Sequence, residues 1–206
     1  MLVKSVEIYK GSTVCVEIEG HSNVYINEKI AAEYHLKAGS NIPENALDEI
    51  IEADTFRKAK ERALHLLTDR DYCFVELYNK LEKNYPHEIC LSVCRKMAEM
   101  GFVNDAAYAE KFARQLFEIK KFGMYRAKQE MKRRGLPENV IENALEPYND
   151  RDDILERLEA LVDKKYARYL NDDKGVKKVK SALVRLGYSY DEVNIVLKAY
   201  NEDDYQ

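Results

Sequence analysis

After about residue 50, apolar residues return every three or four positions for most of the chain. The clearest stretch runs from Gly101 to Tyr148. Asn104 and Asp105 can cap a first helix, whose Tyr108, Ala109, Phe112, Leu116 and Phe117 fall on one face. Gly123 after its last turn predicts a left-handed cap or a break. A second, strongly basic helix is expected from about Met124 to Arg134, ending at Gly135. Pro137 suits the first turn of a third, where its missing N–H costs nothing. That helix presents Val140, Ile141, Ala144 and Leu145 together. Three such short helices bury too little apolar surface to stand alone.

The pattern supplies neighbours, because it recurs. Gly187 lies 52 residues after Gly135, and Asn84 lies 51 before it. Two residues past these anchors come Pro86, Pro137 and Ser189, all fit to start a helix. Further on, Cys90, Ile141 and Val193 share a column, as do Val93, Ala144 and Val196. Cys94, Leu145 and Leu197 form the next, and Met97, Tyr148 and Tyr200 the last. Asn84 is expected to take the left-handed cap conformation that glycine takes in the other two. A period near fifty residues predicts tandem helical units, three of them.

The first 27 residues read differently. VKSVEIYKG, STVCVEIEG and SNVYIN alternate apolar and polar positions and are divided by Lys10-Gly11 and Gly20-His21 turn signals. A small antiparallel sheet follows from this. A short helix is expected from Glu28 to Leu36, and Pro43 should start a long one. The expected division is a β-rich region with a linking helix over 1–54, then three-helix units over 55–101, 102–149 and 150–206.

Composition narrows the class. Of 206 residues, 46% are hydrophobic and 34% charged, which describes a soluble helical protein. No apolar run approaches the roughly 20 residues of a membrane span. The N-terminus lacks a signal peptide's apolar stretch, so four scattered cysteines point to reduced thiols in the cytoplasm.

No arrangement of catalytic groups stands out: G-x-G-x-x-G, G-x-x-x-x-G-K and H-E-x-x-H are all absent. His87, Cys90 and Cys94 share a helix face and could ligate zinc. Cys90 and Cys94, however, occupy repeat columns held elsewhere by Ile, Val and Leu, so packing is the expectation. Asp150, Asp152 and Asp153 lack the glycine of a calcium loop and read as carboxylates at a helix start. No metal, cofactor or small-molecule substrate is expected.

Charge adds most. Net charge is −4, yet residues 111–134 carry nine Lys/Arg against two Glu, and 164–185 carry eight against two Asp. Residues 1–54 carry four Lys against ten acids. Lys120, Lys121, Arg126, Lys128, Lys132, Arg133, Lys174, Lys177, Lys178 and Arg185 are the candidate contact residues. Equivalent helices of successive repeats would align them as a basic stripe facing an acidic groove, DNA phosphates or both.

Five short patterns occur in order. They are A-x-x-x-L-x-x-R from Ala63 to Arg70 and E-L-x-x-K-L at Glu76, Leu77, Lys80 and Leu81. G-F-V-N-D-x-x-Y-A follows with Asp105 and Tyr108, then K-x-x-G ending at Gly123 and M-K-R-R-G ending at Gly135. This succession resembles the RecX family of recombinase regulators. Cys73, where that family usually has Ser or Thr before a helix, and Asn84 in place of a glycine are departures. The resemblance implies a mainly α fold with a small N-terminal β region and three tandem three-helix units in an elongated, curved array. It also implies a cytoplasmic, monomeric, non-catalytic protein. Such a protein binds the RecA filament on single-stranded DNA and modulates, most often inhibits, RecA in recombination, DNA repair and the SOS response. The alternative reading is an autonomous DNA-binding protein of helix-turn-helix-like units.

Overall fold

The computed structural model describes residues 1–43 and 45–203, with side chains as far as Tyr200. Glu44 of the expected N-terminal region and the last three residues of the expected third unit lie outside these. The described chain forms two compact units, one of residues 1–70 with 77–102, the other of 71–76 with residues from 103 onward.

In the first unit, β1 (Val3–Lys10), β2 (Thr13–Ile18) and β3 (Val24–Asn27) form an antiparallel sheet in sequence order. Gly11 takes a φ of 57° in the turn between β1 and β2, a conformation that favours glycine. Alternation puts Val14, Val16, Ile18 and Ile26 on the covered face, where they pack with Ile30, Ala31 and Ile50. Helix α1 (Glu28–Glu33) is capped by the Asn27 side chain, which accepts from the Lys29 N–H at 3.0 Å. It ends before the expected Leu36, because His35 turns left-handed (φ 53°) and the Leu36 N–H returns to the Ala31 carbonyl at 2.8 Å.

Helix α2 (Ala46–Asp69) serves both sheet and helices. Ile50 joins the sheet core, while Ala59, Ala63 and Leu66 are buried farther along a helix that packs on α4 (His87–Glu99). Asp54, 2% exposed, fastens α2 to β3. Its carboxylate accepts from the Asn27 N–H at 2.9 Å and pairs with Arg57 and Lys58 at 3.1 and 2.7 Å. Burial pushes its pKa up, but the hydrogen bonds from Lys58, Asn27 and Arg57 outweigh this and hold it below the ordinary value. Helix α3 (Phe74–Leu81) buries Leu77 and Leu81. Asn84 is not left-handed as expected. The Leu81 carbonyl takes both the Asn84 and Tyr85 N–H groups, at 2.9 and 3.1 Å, and closes the turn without a positive φ.

The second unit holds two helical triads. Helix α5 (Asp105–Arg114) is capped by Asn104, which accepts from the Ala107 N–H at 3.0 Å, and runs into a π turn over Gln115–Ile119. Helices α6 (Met124–Arg133) and α7 (Glu138–Leu145) complete the triad around Phe112, Leu116, Met131 and Ile141. Helices α8 (Arg151–Lys165), α9 (Asp173–Arg185) and α10 (Tyr190–Asp203) enclose Leu158, Val162, Leu183 and Leu197. Each fully buried leucine contributes about 1.5–3 kcal/mol, so neither triad survives losing many.

The repeat is visible in the turns. Gly135 and Gly187 take φ of 81° and 96° after α6 and α9. Pro86 and Pro137 adopt the same extended geometry, ψ 148° in both, just before α4 and α7. Pro137 is thus one position ahead of the first helical turn expected for it. Cys90, Ile141 and Val193 are buried, as are Cys94, Leu145 and Leu197. Tyr148 and Tyr200 are half-buried, and Tyr148 stacks on Phe117 with ring centroids 4.3 Å apart. Gly123 is not the left-handed residue after the π turn. Lys121 is, at φ 54°, while Gly123 stands extended at the start of α6. No helix among the described residues is long and apolar enough to cross a membrane.

Candidate partner-binding surface

The surface rests on how the middle helices of the second unit meet. The C-terminal end of α9 abuts the N-terminal end of α6. The Gly123 N–H donates to the Leu186 carbonyl at 2.8 Å, and the Tyr125 N–H to that of Gly187 at 3.2 Å. Each helix end has unpaired backbone groups, and here each set satisfies the other. The Arg126 guanidinium, 4.1 Å over the Phe122 ring, donates to the Arg185 carbonyl at 2.9 Å.

The same junction occurs one repeat earlier. The C-terminal end of α6 abuts the start of α3, where the Cys73 thiol donates to the Arg134 carbonyl at 3.2 Å. A Cβ on Gly135 would overlap Val75, as one on Gly187 would overlap Arg126, the residue 51 positions later in the repeat. The family-like motif residues converge here. Glu76 accepts from the Tyr108 hydroxyl at 2.9 Å and bonds Arg134, and Asp105 accepts from the Phe74 N–H at 2.7 Å. Asp105 therefore helps to cap the start of α3 beside Cys73. Burial, then the bond to Glu76, pushes the Tyr108 phenol up to about 12, and burial raises the Cys73 thiol to about 11. Leu77 and Leu81 are buried, Lys80 is exposed, and α2 ends at Arg70.

Because α9 and α6 abut, Arg185 comes beside Arg126 and Arg133, but the charges of the two helices differ in their partners. On α6 most charges are answered within the chain. Lys128 pairs with Glu138 and Glu142 at 2.6 and 3.6 Å, Lys132 with Glu138 at 2.9 Å. Arg126 and Arg133 approach Glu130 at 3.7 and 3.3 Å. On α9, no carboxylate among the described residues pairs with Lys174, Lys177, Lys178 or Arg185, all exposed. Arg126, Arg133 and Arg185 share a groove of about 400 Å³ with Tyr125. Lys120 and Lys121 border a separate groove of about 760 Å³, with Lys164 and Lys165 across it. The candidates thus fall around separate grooves, Lys174, Lys178 and Arg185 lining a further one beside α9. The neutralising Glu138 and Glu142 were not legible as partners, since only the turn at Gly135 brings α7 alongside α6.

Cys90 and Cys94 are fully buried, with burial raising the Cys94 thiol to about 12. His87 faces outward, its Nδ1 2.6 Å from the Tyr78 hydroxyl. No cluster of three His, Cys, Asp or Glu able to hold a metal occurs among the described residues. Asp150 caps α8, accepting from the Asp152 and Asp153 N–H groups at 2.9 and 3.1 Å.

Comparison with known proteins accords with this arrangement. Residues 104–145 match the model described as RecX, second three-helix domain, and 152–197 the one described as RecX, third three-helix domain. A regulatory protein RecX from Trichlorobacter lovleyi is 33% identical over 133 residues, 63% of this chain and 86% of the relative. The chain belongs to the RecX family. Another regulatory protein RecX, from Clostridioides difficile, is 28% identical over 194 residues, 89% of this chain and 91% of its own length. The RecX fold is also shared with solved structures. A crystal structure of regulatory protein RecX superposes with a TM-score of 0.73 at 22% identity, covering 96% of this chain and 98% of the other. That of RecX from Lactobacillus salivarius gives 0.65 at 24% identity, covering 72% and 98%.

Proposed function

We propose that this RecX-family chain is a non-catalytic regulator that binds the RecA filament on single-stranded DNA. It lowers RecA's ATP hydrolysis and strand exchange, and so acts in recombination, DNA repair and the SOS response. Family membership and the regulatory name of the curated relatives support the reading. The observation that carries the contact is the set of exposed cations on α9 that no carboxylate among the described residues answers. Unpaired charges keep their field for a partner, whereas paired ones have already spent most of it. Lys174, Lys177, Lys178 and Arg185 are therefore the leading contacts, with Lys120, Lys121, Arg126 and Arg133 beside them. Lys128 and Lys132 hold α7.

The test is RecA's DNA-dependent ATPase with the purified chain added up to equal ratio. Inhibition that saturates and weakens with salt is expected. Tight duplex binding without effect on RecA would favour an autonomous DNA-binding protein.

A further inference from the structure

Beside the junction, the third triad carries a groove of about 630 Å³ between α9 and the segment that follows α8. One wall is α9, and Lys174, Lys178 and Arg185 line it. At 1.5 Å per residue, Lys174 and Lys178 are about 6 Å apart along the axis and Arg185 about 10 Å farther, all on one face. The other wall is Tyr166, Arg168 and Tyr169. Tyr169 is 48% exposed, a large aromatic side chain half open to solvent. It is also held in place. The Arg168 guanidinium lies 4.7 Å from the ring centroid and donates to the Tyr169 hydroxyl at 2.7 Å. The Tyr169 carbonyl packs against Gly175, where a Cβ would overlap it. Asp172 is the groove's acid, and its carboxylate is engaged in capping α9 through the Gly175 N–H at 2.6 Å.

We propose that this groove binds single-stranded nucleic acid, a base stacking on Tyr169 and the phosphates following Lys174, Lys178 and Arg185. An acidic protein surface would use the cations but not an exposed, positioned ring. A duplex keeps its bases stacked on each other and offers the ring none. The inference rests on the reading above for its setting, a strand inside the RecA filament. Its chemistry needs no RecA, so the two can fail separately.

The test is binding of a fluorescently labelled oligothymidylate to the full chain without RecA, alongside a mixed-sequence duplex and RecA's ATPase. Preference for the single strand is expected. Tyr169→Ala should weaken it at least about fivefold and Tyr169→Phe far less. Lys178→Gln should reduce the slope of log K against log salt by about 0.7, one phosphate contact on a single strand. Unchanged thermal unfolding of each variant keeps these readings about the groove. Absence of oligonucleotide binding at low salt, equal binding of duplex, or indifference to Tyr169→Ala would overturn the inference. If ATPase inhibition persists through such a result, the groove is lost and the regulator stands. If the strand binds while RecA is unaffected, the reverse holds.

Discussion

Gly123 lies so close to Gly187 that a Cβ on Gly123 would overlap the Gly187 carbonyl carbon and oxygen. The two glycines let the backbone ends of α9 and α6 share hydrogen bonds, which a side chain would separate. Gly123→Ala should therefore cost more than the propensity gain of about 1 kcal/mol that alanine brings elsewhere in helices. We expect a loss of at least about 2 kcal/mol, the scale of overpacking, read as a lower urea midpoint. A variant as stable as the native chain would mean the junction yields freely.

Gly135 offers a cleaner comparison, because its obstacle is a side chain. Gly135→Ala meets both Val75 and a left-handed backbone at φ 81°. Adding Val75→Ala removes the two methyl groups but keeps the Val75 Cβ, which a Gly135 Cβ would also overlap. It should therefore recover only part of the steric cost and leave the rest with about 1–2 kcal/mol of backbone strain. A double-mutant cycle measures the division. Strict additivity of the two changes would show that Val75 is not the obstacle.

Asp54 anchors α2 to β3, and its removal strands the Asn27 N–H. Asp54→Ala should destabilise the first unit by about 1–3 kcal/mol. Its depressed pKa gives stability that is full above the ordinary carboxylate range and lost as pH falls through the folded value. The native chain should weaken in acid more than Asp54→Asn does. Parallel acid profiles would contradict the anchoring role.

Alkaline pH should act in the opposite direction. Burial raises Cys73 and Cys94 to about 11 and about 12, and Tyr108 and Tyr188 to about 12. Raised acids stabilise the fold while protonated, fully so below the unfolded values of about 8.5 for thiols and about 10 for phenols. That stability drains as pH climbs toward the folded values. Urea midpoints should be flat to about pH 8 and lower at pH 10. With a thiol reagent, half-buried Cys15 should react first in the native chain and the other three only on unfolding. Four thiols reacting at one rate would contradict the packed core.

Much of this was legible because short-range rules dominate it. The alternation of Val14, Val16 and Ile18 placed the sheet, and the Cys90–Ile141–Val193 column placed buried faces. Glycine was legible by type rather than by role. Gly135 and Gly187 are left-handed as expected, whereas Gly123 is required by the backbone it touches. The conformation expected of it falls to Lys121, a residue that local propensity disfavours there. Asp54 carries no local signal of its role, because its partner Asn27 is far away in sequence. The basic stripe was legible as composition. Glu130 lies within α6 itself, one turn from Arg126 and Arg133, whereas the partners of Lys128 and Lys132 depend on how α7 packs beside α6, which the spacing alone does not specify.

That difference leads to the sharpest test of the account. RecA's DNA-dependent ATPase should be measured across a titration with the native chain, with Lys177→Glu and with Lys132→Glu. Lys177 is unpaired among the described residues and outside the Tyr169 groove, while Lys132 is already held by Glu138 at 2.9 Å. Inhibition by the native chain is expected, with markedly weaker inhibition by Lys177→Glu and a smaller change for Lys132→Glu once its stability is matched. A native chain that leaves RecA's ATPase untouched at equal ratio would contradict it.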